Sequence, residues 1–338
     1  SGGGLSSNLP LINFFEFRRL VDAGELDGVI IAEHGQSNFT RNVVQTCKFY
    51  DIPGVGIMDL NSFNPLHQIY WLSSEKTYFT QLETQVVDGC NLNCKGCCHF
   101  SNLFKTNEIY PLENFRRDLR RISQVCDVVT FFLLGGEPLL MKNLDEYMKS
   151  SRQYFPKSYL GILTNGLLIP SLSQKVLDTM RENHFIIHIS SYPPTMKIID
   201  KVKATLESNQ IPYQFRDKAE DKHFRSFMTL HAGNNPEKAR AVCFNDSCRF
   251  LRNSKIYKCP IDALKFRLAE KFGIKNYPKA TGIDIYAPNF SSLIQMLDYN
   301  VEMCGWCSEQ SREFLWETSK NPKLADWLAN PSELKNRL

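Results

Sequence analysis

The chain has 338 residues, 43% of them hydrophobic and 22% charged, with a net charge of +4 from 40 basic and 36 acidic side chains. That length suggests two or three domains with a sizeable core, and so mild a charge argues against nucleic acid or a membrane surface as a partner. No apolar run approaches the ~18 residues of a membrane span and no secretory signal follows the tag-like Ser1–Gly4, so a cytoplasmic protein is expected.

In chain order, residues 13–24 read as a short helix, 29–32 as an apolar strand, 38–50 as a helix and 55–58 as a second strand. This order predicts a small Rossmann-like αβ domain over residues 1–75. It has no Gly-x-Gly-x-x-Gly, so a scaffold or docking role is expected rather than nucleotide binding. The polar stretch 61–75 marks the boundary.

From 76 to 232 the pattern repeats. Strands are predicted at 80–87, 128–134, 159–163, 185–190 and 211–215, with a sixth near 227–230. Helices at 112–125, 142–152, 171–183 and 196–208 separate them. Such alternation means βαβ units, and here an α/β fold with a partial (β/α)6 barrel. Chemistry in such folds sits at the C-terminal ends of the strands. Arg116, Arg117, Arg120 and Arg121 form either a phosphate-binding face or, more simply, a solvated helix face.

Residues 233–338 lack the repeat. After a linker over 231–240, a hairpin turns at Asn253-Ser254, a helix covers 290–299, and 310–338 reads as a polar helical tail. Trp316 and Trp327 are its expected docking contacts.

Of eleven cysteines, four lie in 90–98, three in 243–259 and two in 304–307. In a reducing compartment grouped cysteines mean metal rather than disulfides. Cys90-x3-Cys94-x2-Cys97 follows the first barrel strand. Three thiolates hold three irons of a 4Fe–4S cluster and leave the fourth iron open to a small molecule, unlike four-cysteine carriers. Zinc prefers four ligands, which Cys98 or His99 would complete, so it stays open as an alternative. Gly135-Gly136-Glu137-Pro138 follows the second strand. Glycines there permit close backbone approach, and a carboxylate suits a cation. Thr164-Asn165 ends the third strand and Ser190 the fourth.

This ordered set, over roughly residues 78–230, resembles the radical S-adenosylmethionine (SAM) superfamily. The resemblance implies a 4Fe–4S cluster on Cys90, Cys94 and Cys97. It places the methionine ammonium of SAM at Gly135, Gly136, Glu137 and Pro138, and its carboxylate and ribose near Thr164, Asn165 and Ser190. A flavodoxin- or ferredoxin-type electron donor follows from the same resemblance. Members usually carry an aromatic residue where this chain has Gly96, and His99 or Phe100 is expected to replace that cover.

The C-terminal cysteines are similar to those of twitch or SPASM domains, which implies a second, auxiliary 4Fe–4S cluster on four of Cys243, Cys248, Cys259, Cys304 and Cys307. Hairpin pairing sets Cys248 opposite Cys259, whereas the spacing in the resemblance selects Cys243. A zinc ribbon is the rival. Cys47 and Cys126 read as buried small hydrophobes, and Cys98 as packing or a hydrogen-atom donor.

The string Cys-Asn-Leu-Asn-Cys-Lys-Gly-Cys-Cys-His-Phe-Ser at 90–101 is similar to uncharacterised radical SAM proteins of bacterial polysaccharide and sugar gene clusters. It implies dehydrogenation or epimerisation of a small sugar-like substrate, nucleotide- or phosphate-linked, with Arg216, Lys218, Lys222 and Arg225 available for the phosphate. The alternatives are a peptide-modifying radical SAM enzyme and a non-catalytic iron–sulfur or zinc scaffold.

Overall fold

The computed structural model describes residues 14–338 apart from 27, 34–37, 53, 60–68, 105–107, 217–222, 244, 246–247, 300 and 338. Lys218 and Lys222 lie outside the described residues. The chain divides into two compact units, Ser1–Glu75 and Lys76–Leu338.

The first unit runs α1 (Phe14–Asp22), β1 (Val29–Glu33), α2 (Asn38–Phe49), β2 (Val55–Asp59) and β3 (Tyr70–Trp71). β1 and β2 pair in parallel and β3 adds antiparallel to β2. Ile31, Val44, Cys47, Val55 and Ile57 are buried, so Cys47 packs as a small hydrophobe.

The second unit begins with β4 (Thr77–Val87), α3 (Leu112–Val125), β5 (Cys126–Gly135), α4 (Leu144–Tyr154), β6 (Tyr159–Thr164), α5 (Gln174–Glu182), β7 (Phe185–Ile189), α6 (Pro193–Met196), α7 (Ile199–Ser208) and β8 (Tyr213–Phe215). There follow β9 (His223–Met228), α8 (Pro236–Ala241), β10 (Arg249–Arg252), β11 (Lys255–Tyr257), α9 (Pro260–Phe272), β12 (Ile283–Asp284), a short α10 (Phe290–Leu293) and β13 (Cys307–Leu315).

β4 to β8 pair in parallel in chain order. One side of each strand is apolar and meets the helices: Leu82, Phe131, Leu133, Ile162 and Ile187 belong to one large core with Phe115, Leu119 and Ile122 of α3. Those three recur at helical spacing, which turns the α3 arginines outward. Arg116 pairs with Glu113 and Glu146, Arg117 with Asp118, and Arg121 donates to the Ile285 carbonyl.

The strand foreseen near 227–230 is β9, and it does not join the barrel sheet. It pairs antiparallel with β13. The sixth parallel strand is β10, which lies against β4 on the edge opposite β8. β10 and β11 form the expected hairpin, with Arg252 opposite Lys255 and Phe250 opposite Tyr257. Asn253 (φ 49°) and Ser254 (φ 60°) take the left-handed conformations that a tight two-residue turn demands.

The tail over 310–338 is not helical in the expected way. Its first part is the strand β13, and short 3-10 turns cover 324–326 and 331–337. α9 goes unforeseen in the sequence reading. Its start is conventional in retrospect: Cys259 caps it, Pro260 opens it, and Gly273 (φ 66°) closes it. Among the described residues no helix is long and apolar enough to cross a membrane.

Candidate functional site

The cysteine loop leaves β4 at Val87 and is pinned against the turn that ends β5. Gly136 N donates to the Val87 carbonyl at 2.8 Å and Glu137 N to the Gly89 carbonyl at 2.9 Å. A β-carbon on Gly136 would lie 2.2 Å from the Gly89 oxygen, and one on Gly135 2.4 Å from the Val87 oxygen. No other residue type fits at either position. The Gly-Gly pair therefore joins two loops, in addition to any ligand it admits.

Glu137 extends the join to a third loop. Its fully buried carboxylate accepts from Leu139 N at 3.0 Å, Thr164 Oγ1 at 2.7 Å and Asn165 N at 2.8 Å. Burial pushes its pKa up to about 7, against the pull of those three donors. Most of the capacity expected to meet an ammonium is thus spent inside the protein, and Pro138 opens the 3-10 turn at 138–140 that supplies one donor. Asn165 Nδ2 donates to Asn91 Oδ1 at 2.7 Å and reaches Cys90 Sγ at 3.9 Å. Ser190 N donates to the Thr164 carbonyl at 2.9 Å, which places Ser190 at the same rim.

The three thiols are close enough to act on one another. Burial first, then the charges of Glu137 and Cys97, push Cys90 up to about 12, while the Leu92 N–H opposes. Burial and then Cys97 push Cys94 higher still. Buried thiols without a cation stay protonated, and metal binding would displace those protons. The donor set fits an iron–sulfur cluster. Among the described residues no group of three or more His, Cys, Asp or Glu side chains gathers on a single ion. Cubane ligands bind different irons and need no common point.

The C-terminal tail covers this loop. Lys95 N donates to the Glu317 carbonyl at 2.9 Å and Ser319 N to the Asn93 carbonyl at 2.8 Å. Trp316 Nε1 donates to Cys94 Sγ at 3.3 Å, and Trp327 Nε1 to the Cys97 carbonyl at 2.9 Å. Trp316 stacks on Tyr192, ring centroids 5.4 Å apart. Gly96 has φ 65°, and a β-carbon there would meet the Asp326 carbonyl at 2.7 Å, so the tail leaves no room for an aromatic. The aromatic beside the thiols comes from the tail instead. Phe100 is buried against Trp327, and His99 packs on Phe250 and hydrogen-bonds Gln85.

The C-terminal thiols separate into four and one. Cys243, Cys259, Cys304 and Cys307 line a single cavity with Phe227, Ile261 and Met303. Cys307 is pushed well up by burial and then by Cys259, Cys243 and Cys304. Cys248 is not in that lining. Its Sγ lies 3.5 Å from Glu83 Oε1 and 3.5 Å from Gln81 Nε2. Cys98 is pushed up by burial, then by Cys97 and Glu83, so it faces the same carboxyl. Arg225 pairs with Glu313 on the β9–β13 ribbon.

The inner side of the barrel sheet carries groups that sequence reading does not single out. His188 lies 2.7 Å from Tyr159 Oη and 2.5 Å from Gln214 Nε2. Burial, helped by Arg216, pushes its pKa down to about 3. Because the unfolded imidazole binds a proton near pH 6.5, stability is complete above that pH and declines as pH falls toward 3. Urea titrations of wild type should lose about 2 kcal/mol more than those of His188→Gln between pH 6.5 and 5. Equal pH slopes in the two proteins would refute a buried neutral imidazole.

Residues 84–242 match the Radical SAM superfamily. The GTP 3′,8-cyclase of Helicobacter pylori is 32% identical over 95 residues, 28% of this chain and 29% of that protein. The GTP 3′,8-cyclase of Clostridium acetobutylicum is 25% identical over 144 residues, 39% of this chain and 44% of that protein. The chain thus spans less than half the length of these curated relatives. Among solved structures, BtrN in complex with AdoMet and 2-DOIA aligns with 69% of this chain and 94% of its own at 18% identity and a TM-score of 0.41. The matched region spans the cysteine loop and the Gly-Gly-Glu-Pro turn, so residues 84–242 are similar to the Radical SAM superfamily, whose members use a 4Fe–4S cluster and S-adenosylmethionine.

Proposed function

We propose that this chain is an enzyme that cleaves S-adenosylmethionine reductively and takes a hydrogen atom from a sugar-like, phosphate- or nucleotide-linked substrate, giving dehydrogenation or epimerisation. The observation that supports this best is the join between the cysteine loop and the Gly135-Gly136 turn, which puts three thiols and a glycine-lined backbone on one rim. When bound, the cluster and S-adenosylmethionine supply one electron and a 5′-deoxyadenosyl radical.

The chain's own residues bind, orient and exclude water. Cys90, Cys94 and Cys97 are the proposed ligands of the first cluster. Glu137 locks the turns at 135–138 and 164–166 together through its three bonds. Gly135, Gly136, Pro138, Thr164, Asn165 and Ser190 then form the proposed edge for the methionine and ribose. Trp316 and Tyr192 shield Cys94 from water.

Cys243, Cys259, Cys304 and Cys307 are proposed to hold an auxiliary 4Fe–4S cluster within residues 233–338, with 76–232 as the radical domain. An acceptor there suits oxidation, because a carbinol that has lost a hydrogen atom must still lose one electron and one proton to become a carbonyl. The curated relatives act on GTP by name, a ribose bearing phosphates, which supports a phosphate-linked sugar. None of the eleven cysteines is in a disulfide, which suits a cytoplasmic setting with a flavodoxin- or ferredoxin-type donor.

Anaerobic reconstitution followed by reduction should release 5′-deoxyadenosine, and Cys94→Ala should lower that release at least ~100-fold. Deuterium moving from a labelled sugar carbon into 5′-deoxyadenosine, with a ketone product, identifies dehydrogenation. Solvent hydrogen in an inverted centre identifies epimerisation. Iron bound without any release of 5′-deoxyadenosine would favour a non-catalytic scaffold.

A further inference from the structure

The two sides of the barrel sheet differ in kind. The outer side packs on helices, whereas the inner side carries Gln81 and Glu83 on β4, Thr130 on β5, Tyr159 on β6 and His188 on β7. Register fixes this row, since Gln81 pairs with Thr130, Thr130 with Tyr159, and Glu83 with Phe132. Partners across parallel strands point to the same side. A β-carbon on Gly161 would lie 2.3 Å from the Phe132 ring and 3.2 Å from His188, so this glycine makes room for both rings on that side.

Glu83 is the anomaly. It is 4% exposed, and no Lys, Arg or His forms an ion pair with it among the described residues. Its partners are Gln81 Nε2 at 2.6 Å and the Cys248 thiol at 3.5 Å. A carboxyl is costly to bury on so few partners, and such groups persist where function needs them. Thr130, 1% exposed, has a hydroxyl with no hydrogen-bond partner among the described residues. Polar atoms left unmatched on one row are what a polar ligand would complete.

Arg216 stands one residue beyond β8, and its side chain has no hydrogen bond or ion pair among the described residues. Yet its charge reaches Glu83 and His188 on the inner row. Arg216 is exposed, its backbone N–H donates to the Ile189 carbonyl at 2.9 Å at the C-terminal ends of the strands, and it stands two residues after Gln214, whose side chain meets His188 on the inner side. Cys248 meets Gln81 and Glu83, and its N–H donates at 3.2 Å to the carbonyl of Asn245, which lines the cavity of the four C-terminal thiols, so the row adjoins that cavity.

We infer that the substrate seats along this inner row, with a hydroxyl or amine donating to Glu83 and an anionic phosphate or carboxylate held by Arg216. This rests on the sugar-like reading above and narrows it to an anionic sugar. The two charges stand apart, beyond ion-pair distance, so a ligand bearing both a donor and an anion can bridge them. Arginine suits either anion because its planar fork binds two oxygens at once.

Calorimetric titration of the reconstituted protein with S-adenosylmethionine tests this, using glucose, glucose 6-phosphate and glucuronate as probes. At least one anionic sugar should bind about tenfold or more tighter than glucose. Arg216→Gln should reduce that sugar to the level of glucose, and Arg216→Lys should restore part of the difference. Glu83→Gln should weaken all three probes. The inference is overturned if neither anionic sugar binds better than glucose, or if Arg216→Gln binds them like wild type. Release of 5′-deoxyadenosine by wild type without any sugar is measured alongside. Release without anion preference defeats only the seat proposed here, and no release defeats the enzyme reading itself.

Discussion

Cys248→Ala should retain about eight irons per reconstituted chain, as wild type does, whereas Cys243→Ala, Cys259→Ala and Cys307→Ala should each fall to about four. Iron content with the matching electron paramagnetic resonance spectrum is the measurement. The expectation rests on where five thiols point. Four line one cavity, where burial and then the neighbouring thiols push Cys307 well up, while the fifth is turned to Glu83 and Gln81. A cluster takes four cysteines, and removing one of them leaves an iron without its ligand. The opposite pattern, iron lost with Cys248 and kept without Cys243, would reverse the assignment. Zinc in place of the second four irons would instead make the C-terminal region a ribbon.

Gly136→Ala is expected to abolish both iron binding at the first site and release of 5′-deoxyadenosine, the latter by at least ~100-fold. The added methyl group would stand 2.2 Å from the Gly89 oxygen and 2.6 Å from the Asp88 oxygen, inside the loop that carries Cys90. Those atoms are backbone, so they cannot rotate away as a side chain would. Either the β5 turn or the cysteine loop must move, at a cost of about 3 kcal/mol or more. Gly273→Ala serves as the control. No atom lies within 4 Å of its added carbon, and only its φ of 66° opposes the change, so about 1 kcal/mol of stability and no iron should be lost. Full iron content in Gly136→Ala would show that the two loops are not one unit.

Much of the second unit was legible because its signals are local. Apolar runs punctuated by polar helices at 112–125 and 174–182 located five parallel strands within a few residues. The Asn253-Ser254 turn predicted the register of β10 with β11, since a two-residue hairpin leaves one pairing open. The failures occurred where a segment takes its conformation from a distant partner. Residues 310–315 are polar enough to read as helix, and they become strand because β9 lies beside them. β9 pairs with β13 and not with the barrel sheet, and the sixth parallel strand is β10 beside β4. Short strands carry little propensity of their own, so pairing decides.

The cysteine count, the three-residue and two-residue gaps of the first group, and the Gly-Gly-Glu-Pro turn one βα unit later were determined by the sequence alone. Chain geometry keeps the thiols of one short loop near one another, and the order of strands brings that turn to the same end of the sheet. Only the tertiary structure put Cys243, and not Cys248, into the cavity with Cys259, Cys304 and Cys307, brought Trp316 to the sulfur of Cys94, and set Glu83 beside the Cys248 thiol. These depend on side-chain direction and on contacts more than 130 residues apart, such as Trp316 with Cys94 and Cys248 with Glu83. Spacing along a chain says nothing about which way a side chain turns once two distant strands have met.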